Sequence, residues 1–412
     1  VTGPEAARRL LASTRLRRLA KIWDGQVFLT GGSLRDRLLG LPTHDLDLAV
    51  AGEPQAAAQA FAVAFRGRCF PLGRPPLVTW RVAGERQCVD IWGIGESLER
   101  DILRRDFTVN ALFWRLPRGP LLDLVGGLDD LAAGRIRVVR QENLLHDPLR
   151  VLRGVRLLAT HPRLRLTRES EQQLGSAAPG LHAVARERVC EELRILLAGP
   201  GVERALLVAA RIGVLPALLP SWEGFAHARE VASLAGALAR LERGAGTLAR
   251  AARDAGIAVL ASPAAGFPER WEQGAAAESL DALAWPPRAA RRAAGAAAFG
   301  ERLAPLLGRD SMAERALAGE AGELLEPAVA WALARRSAAG SDAGPPARSL
   351  LRWWRRLSAL PPLLSGDEIA ELLGLPPGPP RGEAVQALCT ARARGEVRTR
   401  TQARRFLLRT VR

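Results

Sequence analysis

Two aspartates one residue apart, Asp45 and Asp47 in "THDLDLAV", are the side chains of this sequence best placed by spacing to do chemistry. In a strand, residues two apart share a face, about 6.6 Å apart along the axis. Both carboxylates then project together, while Leu46 and Leu48 turn to the core. Like charges on one face are costly unless a cation binds them. Mg²⁺ suits the pair, being a hard cation that takes oxygen ligands and shares its shell with substrate phosphates. Asp90, within "CVDIW", is the candidate third carboxylate, since a third helps to hold two metals about 4 Å apart. An unpaired charge among such apolar neighbours would otherwise be costly. The plain alternative for Asp90 is an edge-strand aspartate facing water.

Just upstream, "LTGGSLRD" places Gly31, Gly32 and Ser33 between a strand and a helix. Backbone N–H groups and the positive helix end can there face an anion. Glycine lets a phosphate approach closely. Arg35, one turn into the helix, can add a bidentate phosphate contact. Together these residues favour a nucleoside triphosphate bound with Mg²⁺.

The elements that must position them divide the 412 residues in two. "QVFLT", "HDLDLAV", "LVTWRV" and "QCVDIW" read as strands, the last two joined by the hairpin-like turn "AGER". Helices are expected at Ser33 to Leu39, Pro54 to Phe65 and Arg105 to Trp114. From about Asp147 the strand signal stops, and apolar positions recur at helical spacing to the end. "SAAGSDAGPP", Ser337 to Pro346, reads as a linker. Ser365 to Glu368 has the spacing of a capping box. The fold class expected is α+β, a mixed sheet domain followed by an all-helical arm. A chain of this length suggests two to four domains.

Composition narrows the partners. The net charge of +16 is carried almost wholly by arginine, and 13 Arg against five Asp and Glu between Arg348 and Arg412 supply half of it. Such a surface attracts polyanions in a salt-dependent way. A solvated basic tail is the plainer reading and nucleic acid the sharper one. "RWWRR", Arg352 to Arg356, could stack on a base or pack into a core. The four cysteines, Cys69, Cys88, Cys190 and Cys389, are scattered, with no CxxC. Structural zinc and a disulfide framework are not expected, and a reducing cytoplasm is the expected location. No uninterrupted run of 18 apolar residues suggests a membrane span. The N-terminal stretch to Trp23 reads as a basic amphipathic helix rather than a secretory signal.

"GGSLRDRLLGLPTHDLDLAV" resembles the first motif of the class II tRNA nucleotidyltransferases and their bacterial poly(A) polymerase relatives. "RRDFTVNAL" is similar to the second motif and "LLDLVGGLDDLAAGRIRVV" to the third. "DPLRVLRGVRLLA" resembles the fourth motif, "ARERVCEELRILL" the fifth, and the stretch from Gly374 to Leu407 the family's C-terminal helical segment. The resemblance implies a polymerase-beta-like head over residues 1–140, a helical neck over 141–200, a body over 201–345 and a tRNA-gripping tail over 346–412. It implies addition of nucleotides from CTP and ATP to the tRNA 3′ end without a template. Asp45 and Asp47 would hold the metals, with Asp90 as a further catalytic candidate. Gly31, Gly32, Ser33 and Arg35 would contact the triphosphate. Arg105, Asp106 and Asn110 would face the ribose and phosphates, with Arg153 also at the nucleotide.

By the same resemblance, Asp147 and Arg150 would hydrogen-bond the Watson–Crick edge of the base. Three apart, they are expected to be neighbours on one helix face. Asp accepts from the amino group that C and A share, and Arg donates to the acceptors of C. A polar site of this kind rejects G and U by leaving its groups unpaired. Two departures bear on this. His146 stands where the family usually has Glu, which alters base selection if that Glu orients the arginine. Only "GIGESLERDIL" separates "VDIW" from "RRDFT", with no flexible loop, a trait that resembles enzymes adding only CC. A bacterial poly(A) polymerase is the nearest alternative. A catalytically silent RNA-binding protein is the alternative of another class, and intact Asp45, Asp47 and "RRDFTVNAL" argue against it. A sugar-nucleotide transferase shares D-x-D but not the ordered motifs.

Overall fold

The structure is a computed structural model that describes residues 14–43, 45–73, 78–85, 88–219, 222, 228–244, 247–261, 272–341 and 344–410. The expected N-terminal helix falls largely on residues 1–13, outside the described residues, and α1 spans Thr14–Leu19. The chain separates into two compact units. One contains residues 1–154 and 162–183, the other residues 155–161 and 184–412.

The first unit is built on a mixed sheet. Its strands are β1 (Val27–Thr30), β2 (Leu46–Val50), β3 (Arg68–Leu72), β4 (Thr79–Ala83), β5 (Cys88–Gly93), β6 (Phe113–Arg115) and β7 (Leu121–Leu122), in spatial order β3-β4-β5-β2-β1-β6-β7. Helix α2 (Gly31–Leu38) follows β1, and α3 (Pro54–Ala64) follows β2. Within this sheet, among the described residues, β2 and β5 form the one parallel pair, which puts Asp47 in register with Asp90. The four strands expected from alternation are present, and β4 and β5 form the expected hairpin, with Arg86 of its turn outside the described residues. The strand β3, "RCFPL", gave no such signal. It is a mostly exposed edge strand containing Pro71, a residue that sheets tolerate only where no ladder N–H is needed.

Residues Arg105 to Trp114 do not form the expected helix. Phe107, Val109, Ala111, Leu112, Phe113 and Trp114 are all buried, so this segment has no polar face on which helical spacing could register. The chain makes one 3₁₀ turn at Thr108–Asn110, and Phe113–Arg115 then joins the sheet beside β1. Before it, α4 (Leu98–Leu103) is capped by the Ser97 side chain, which accepts from the Arg100 N–H. Ile102 and Leu98 of α4 pack in one cluster with Phe28, Ala49, Ala111 and Phe113.

The remaining elements of this unit are α5 (Gly127–Ala132), β8 (Arg135–Ile136), α6 (Gln141–His146), α7 (Leu149–Thr160), β9 (Arg165–Leu166) and α8 (Arg168–Ala177). Helix α7 continues past residue 154 into the second unit. Strand pairing does not stop at Asp147, because β9 lies parallel to β8. Two residues are too few for alternation to show.

The second unit is helical throughout its described residues, from α9 (Arg186–Ala198) through α10 (Val202–Arg211), α11 (Val214–Leu218), α12 (Ala228–Glu242), α13 (Thr247–Gly256) and α14 (Ala258–Ala261). It continues with α15 (Gln273–Ala282), α16 (Pro287–Leu303), α17 (Met312–Ala321), α18 (Leu325–Ala338), α19 (Gly344–Ser358), α20 (Gly366–Leu373), α21 (Pro379–Arg394) and α22 (Arg400–Thr410). Helix ends take up much of the expected linker, two residues of which lie outside the described set. Trp353 and Trp354 pack against a core that includes Leu317, Val329 and Leu350, so the packing reading of "RWWRR" holds. The expected capping box at α20 is complete, with Ser365 and Glu368 each accepting the other's backbone N–H. Helices α17 and α21 touch at Gly319, where a Cβ would stand 2.8 Å from that of Ala393.

Candidate active site

Ser33 and Asp47 bind each other twice. The Ser33 N–H donates to Asp47 Oδ2 at 3.0 Å, and the Asp47 N–H donates to Ser33 Oγ at 2.9 Å. The Ser33 hydroxyl in turn donates to the Thr30 carbonyl at 3.0 Å. The glycine turn is thus fastened across the sheet to β2. Gly31 has φ +63°, and a Cβ there would stand 2.9 Å from Asp47 Oδ2. Only glycine meets both the left-handed backbone and that approach.

Asp45 lies just before β2, exposed, its Oδ1 accepting from the Cys88 N–H at 3.2 Å. Burial pushes the Asp47 carboxyl up, and the negative charge of Asp90 adds to this against the Ser33 N–H, Arg105 and Arg153. Asp47 and Asp90, in register on neighbouring strands, thus feel each other's charge, and hard oxygen donors of this kind fit a divalent cation. Asp90 has a partner already. Both its oxygens accept from Arg81 on β4, each at 2.8 Å. Among the described residues no group of three or more carboxylate, imidazole or thiol side chains stands ready to hold one metal ion.

A chain of polar contacts runs from this turn to the later motifs. Arg35, 6% exposed, donates to Asp36 Oδ1 at 2.8 Å and to Asn110 Oδ1 at 2.6 Å. Asn110 donates to Asp106 Oδ1 at 3.0 Å, and Asp106 Oδ2 lies 3.7 Å from Arg153 Nη1. Arg105 stacks over Trp92 and Phe113, at 4.6 Å and 5.1 Å from the ring centres. Arg35, Asn110, Asp106 and Arg153 thus stand along one continuous set of contacts.

Asp147 and Arg150 are neighbours, but not by sharing a helix. Asp147 is extended, with φ −139° and ψ 88°, one residue beyond α6 and before α7. Pro148 is the cause, because the residue before a proline is driven out of the α region. The Arg150 N–H donates to the Asp147 carbonyl at 3.0 Å, and the two side chains approach to 3.9 Å. Arg150 also donates to the Arg104 carbonyl at 2.6 Å. Asn143 donates to the carbonyls of Leu103 and Arg105, at 2.9 and 2.8 Å. The fourth motif is therefore bound to the backbone of the second.

Residues 27–91 and 80–137 match the poly A polymerase head domain. A Deinococcus radiodurans protein named A-adding tRNA nucleotidyltransferase is 36% identical, the match covering 92% of this chain and 94% of that protein. The chain belongs to the tRNA nucleotidyltransferase family. A Thermus thermophilus CC-adding tRNA nucleotidyltransferase is 35% identical, with 92% of this chain and 93% of that one covered. In fold, the chain is similar to the Bacillus stearothermophilus CCA-adding enzyme in complex with CTP, with a TM-score of 0.71 at 25% identity. That match covers 98% of this chain and 97% of the other. Membership bears out the family reading and the α+β class, a mixed sheet followed by helices. No helix among the described residues is long and apolar enough to cross a membrane.

Within this tRNA nucleotidyltransferase, two side chains of the site were not singled out in the sequence, Asp101 and Arg81. Asp101 had a signal available, because it precedes Arg104 by three and Arg105 by four, the spacing of ion pairs on a helix. Arg81 had none. Its partner is set by register between strands.

Asp106 offers a pH test of the polar chain. Burial pushes its carboxyl up, but Arg153, the Asn110 amide, Arg150 and the Phe107 N–H outweigh this and hold it below its ordinary 3.8. A depressed carboxyl contributes stability above its unfolded pKa and loses it as pH falls through the folded value. We expect Asp106→Asn to lower stability by about 1–3 kcal/mol at neutral pH. The gap to wild type should close below pH 3.8, which urea melts over a pH series will show.

Proposed function

We propose that this tRNA nucleotidyltransferase adds CMP to the 3′ end of tRNA, using CTP and releasing pyrophosphate, and stops after CC. The 3′-hydroxyl attacks the α-phosphorus of the nucleotide in line, breaking the bond to the leaving pyrophosphate. Asp45 and Asp47 would hold Mg²⁺, with Asp90, kept in place by Arg81, completing the negative field. Mg²⁺ bound there would neutralise the triphosphate and lower the pKa of the attacking hydroxyl. The Gly31–Ser33 turn offers backbone N–H groups to the triphosphate. Asn110 and Asp106 orient Arg35 and Arg153 toward ribose and phosphates, and Asp147 with Arg150 reads the base. Fixed polar groups of this kind act by position and charge. The basic tail over 346–412 would hold the tRNA acceptor arm through phosphates, as duplex RNA is usually read.

The observation that carries the CC-only reading is α4. The short segment ahead of "RRDFT" is not a loose loop but a capped helix with Leu98 and Ile102 set into the sheet's core cluster. A segment so packed resists the rearrangement that a second base would need. The A-adding relative favours a second reading, addition of AMP alone, because its identity is as high as that of the CC-adding one. Radiolabelled CTP or ATP supplied to tRNA ending before CCA, and to tRNA ending in CC, separates the two.

A further inference from the structure

Helix α4 carries a charge that the mechanism above does not use. Asp101 on α4 is 1% exposed, and its carboxylate is shut off from solvent. A buried carboxylate costs several kcal/mol unless its oxygens are paired. Three donors pair this one, two from the adjacent Arg104 and Arg105 and one from Trp92. Arg105 donates through Nη2 at 2.8 Å, Arg104 through Nε at 2.5 Å, and the Trp92 indole N–H stands 3.4 Å away. Trp92, which Asp101 also touches, is one of the two rings over which Arg105 stacks.

We infer that Asp101 is a positioning residue, fixing Arg105 against the nucleotide and, through Arg104, the base-reading Arg150. The inference rests on the nucleotide site proposed above and deepens it. Two observations tie the carboxylate to the chemistry. Arg105 stacks over Trp92 of β5, the strand paired with β2 that carries Asp47, so moving Arg105 disturbs the side of the sheet that bears the metal-binding candidates. The Arg104 carbonyl is the acceptor for Arg150, so moving Arg104 moves the arginine that reads the base. The carboxylate sits on α4, the capped helix just ahead of "RRDFT", so it ties that helix to the candidate nucleotide site. A carboxylate that served only to stabilise α4 would have no need of donors outside that helix. Arg105 and Trp92 both lie outside it.

Asp101→Asn keeps shape but removes the charge, and Asp101→Glu keeps the charge on a longer arm. Both would be compared with wild type and with Arg105→Gln for thermal stability, equilibrium binding of Mg²⁺–CTP, and steady-state CMP incorporation. We expect Asp101→Asn to weaken CTP binding and raise KM for CTP by roughly 10- to 100-fold, the scale of a small misplacement. Its affinity for tRNA should be unchanged. Asp101→Glu should recover part of the loss. The double variant Asp101→Asn with Arg105→Gln should lose clearly less than the two single losses combined, because either substitution already removes the Asp101–Arg105 interaction. CTP binding and KM like wild type in a folded Asp101→Asn would overturn the inference. So would losses that add in the double variant, or losses that merely follow the fraction unfolded. If wild type itself takes up no CTP, it is the proposed function that fails.

Discussion

Asp47→Asn should reduce nucleotide incorporation by at least about a thousandfold, with tRNA binding retained. The Asp47 carboxylate accepts from the Ser33 N–H, and the Asp47 N–H donates to the Ser33 hydroxyl. Asparagine can keep the backbone half of that exchange, so the turn and β2 should hold their geometry. What is lost is the negative charge that would bind the cation. Burial and Asp90 already push the Asp47 carboxyl up, which shows that its charge is stored at a cost. A neutral residue relieves that cost, so melting should show no large loss of stability while incorporation collapses. A variant with near-normal turnover would remove Asp47 from the chemistry.

Arg150→Ala should change which nucleotide is chosen, not only how fast. Arg150 is held by the Arg104 carbonyl and lies beside Asp147, a donor and an acceptor side by side that would meet one base edge. Cytosine presents an amino group to the acceptor and ring acceptors to the donor, whereas uracil reverses part of that pattern. With the arginine gone, cytosine loses its donors and uracil loses a repulsion. Incorporation from CTP should fall by about a hundredfold, and the CTP-to-UTP preference should shrink by roughly ten- to a hundredfold. Competition between the two nucleotides in one reaction gives the ratio directly. An unchanged ratio would place base reading elsewhere.

The first motif was legible because it is local. A glycine turn, an alternating strand and a D-x-D pair all lie within about twenty consecutive residues. The segment from Arg105 to Trp114 was misread because its side chains are buried on every side, which erases the polar face that periodicity needs. Asp147 and Arg150 were paired correctly but for the wrong reason, since Pro148 ends one helix and lets another begin. Their proximity survives because the Arg150 N–H closes a turn on the Asp147 carbonyl. The Asp90 clamp was out of reach. Arg81 lies in a neighbouring strand, and only cross-strand register brings the pair together. Local patterning thus exposed the residues proposed to meet the nucleotide, while the residues that hold them depended on contacts across the fold.

The central claim is that this enzyme adds cytidines and stops. Wild-type protein given tRNA without its CCA end, with CTP and ATP together in the presence of Mg²⁺, tests it most directly. The tRNA should lengthen by two cytidines with no adenosine, resolved by gel and mass. A product ending in CCA, or AMP joined to tRNA already ending in CC, would contradict the account.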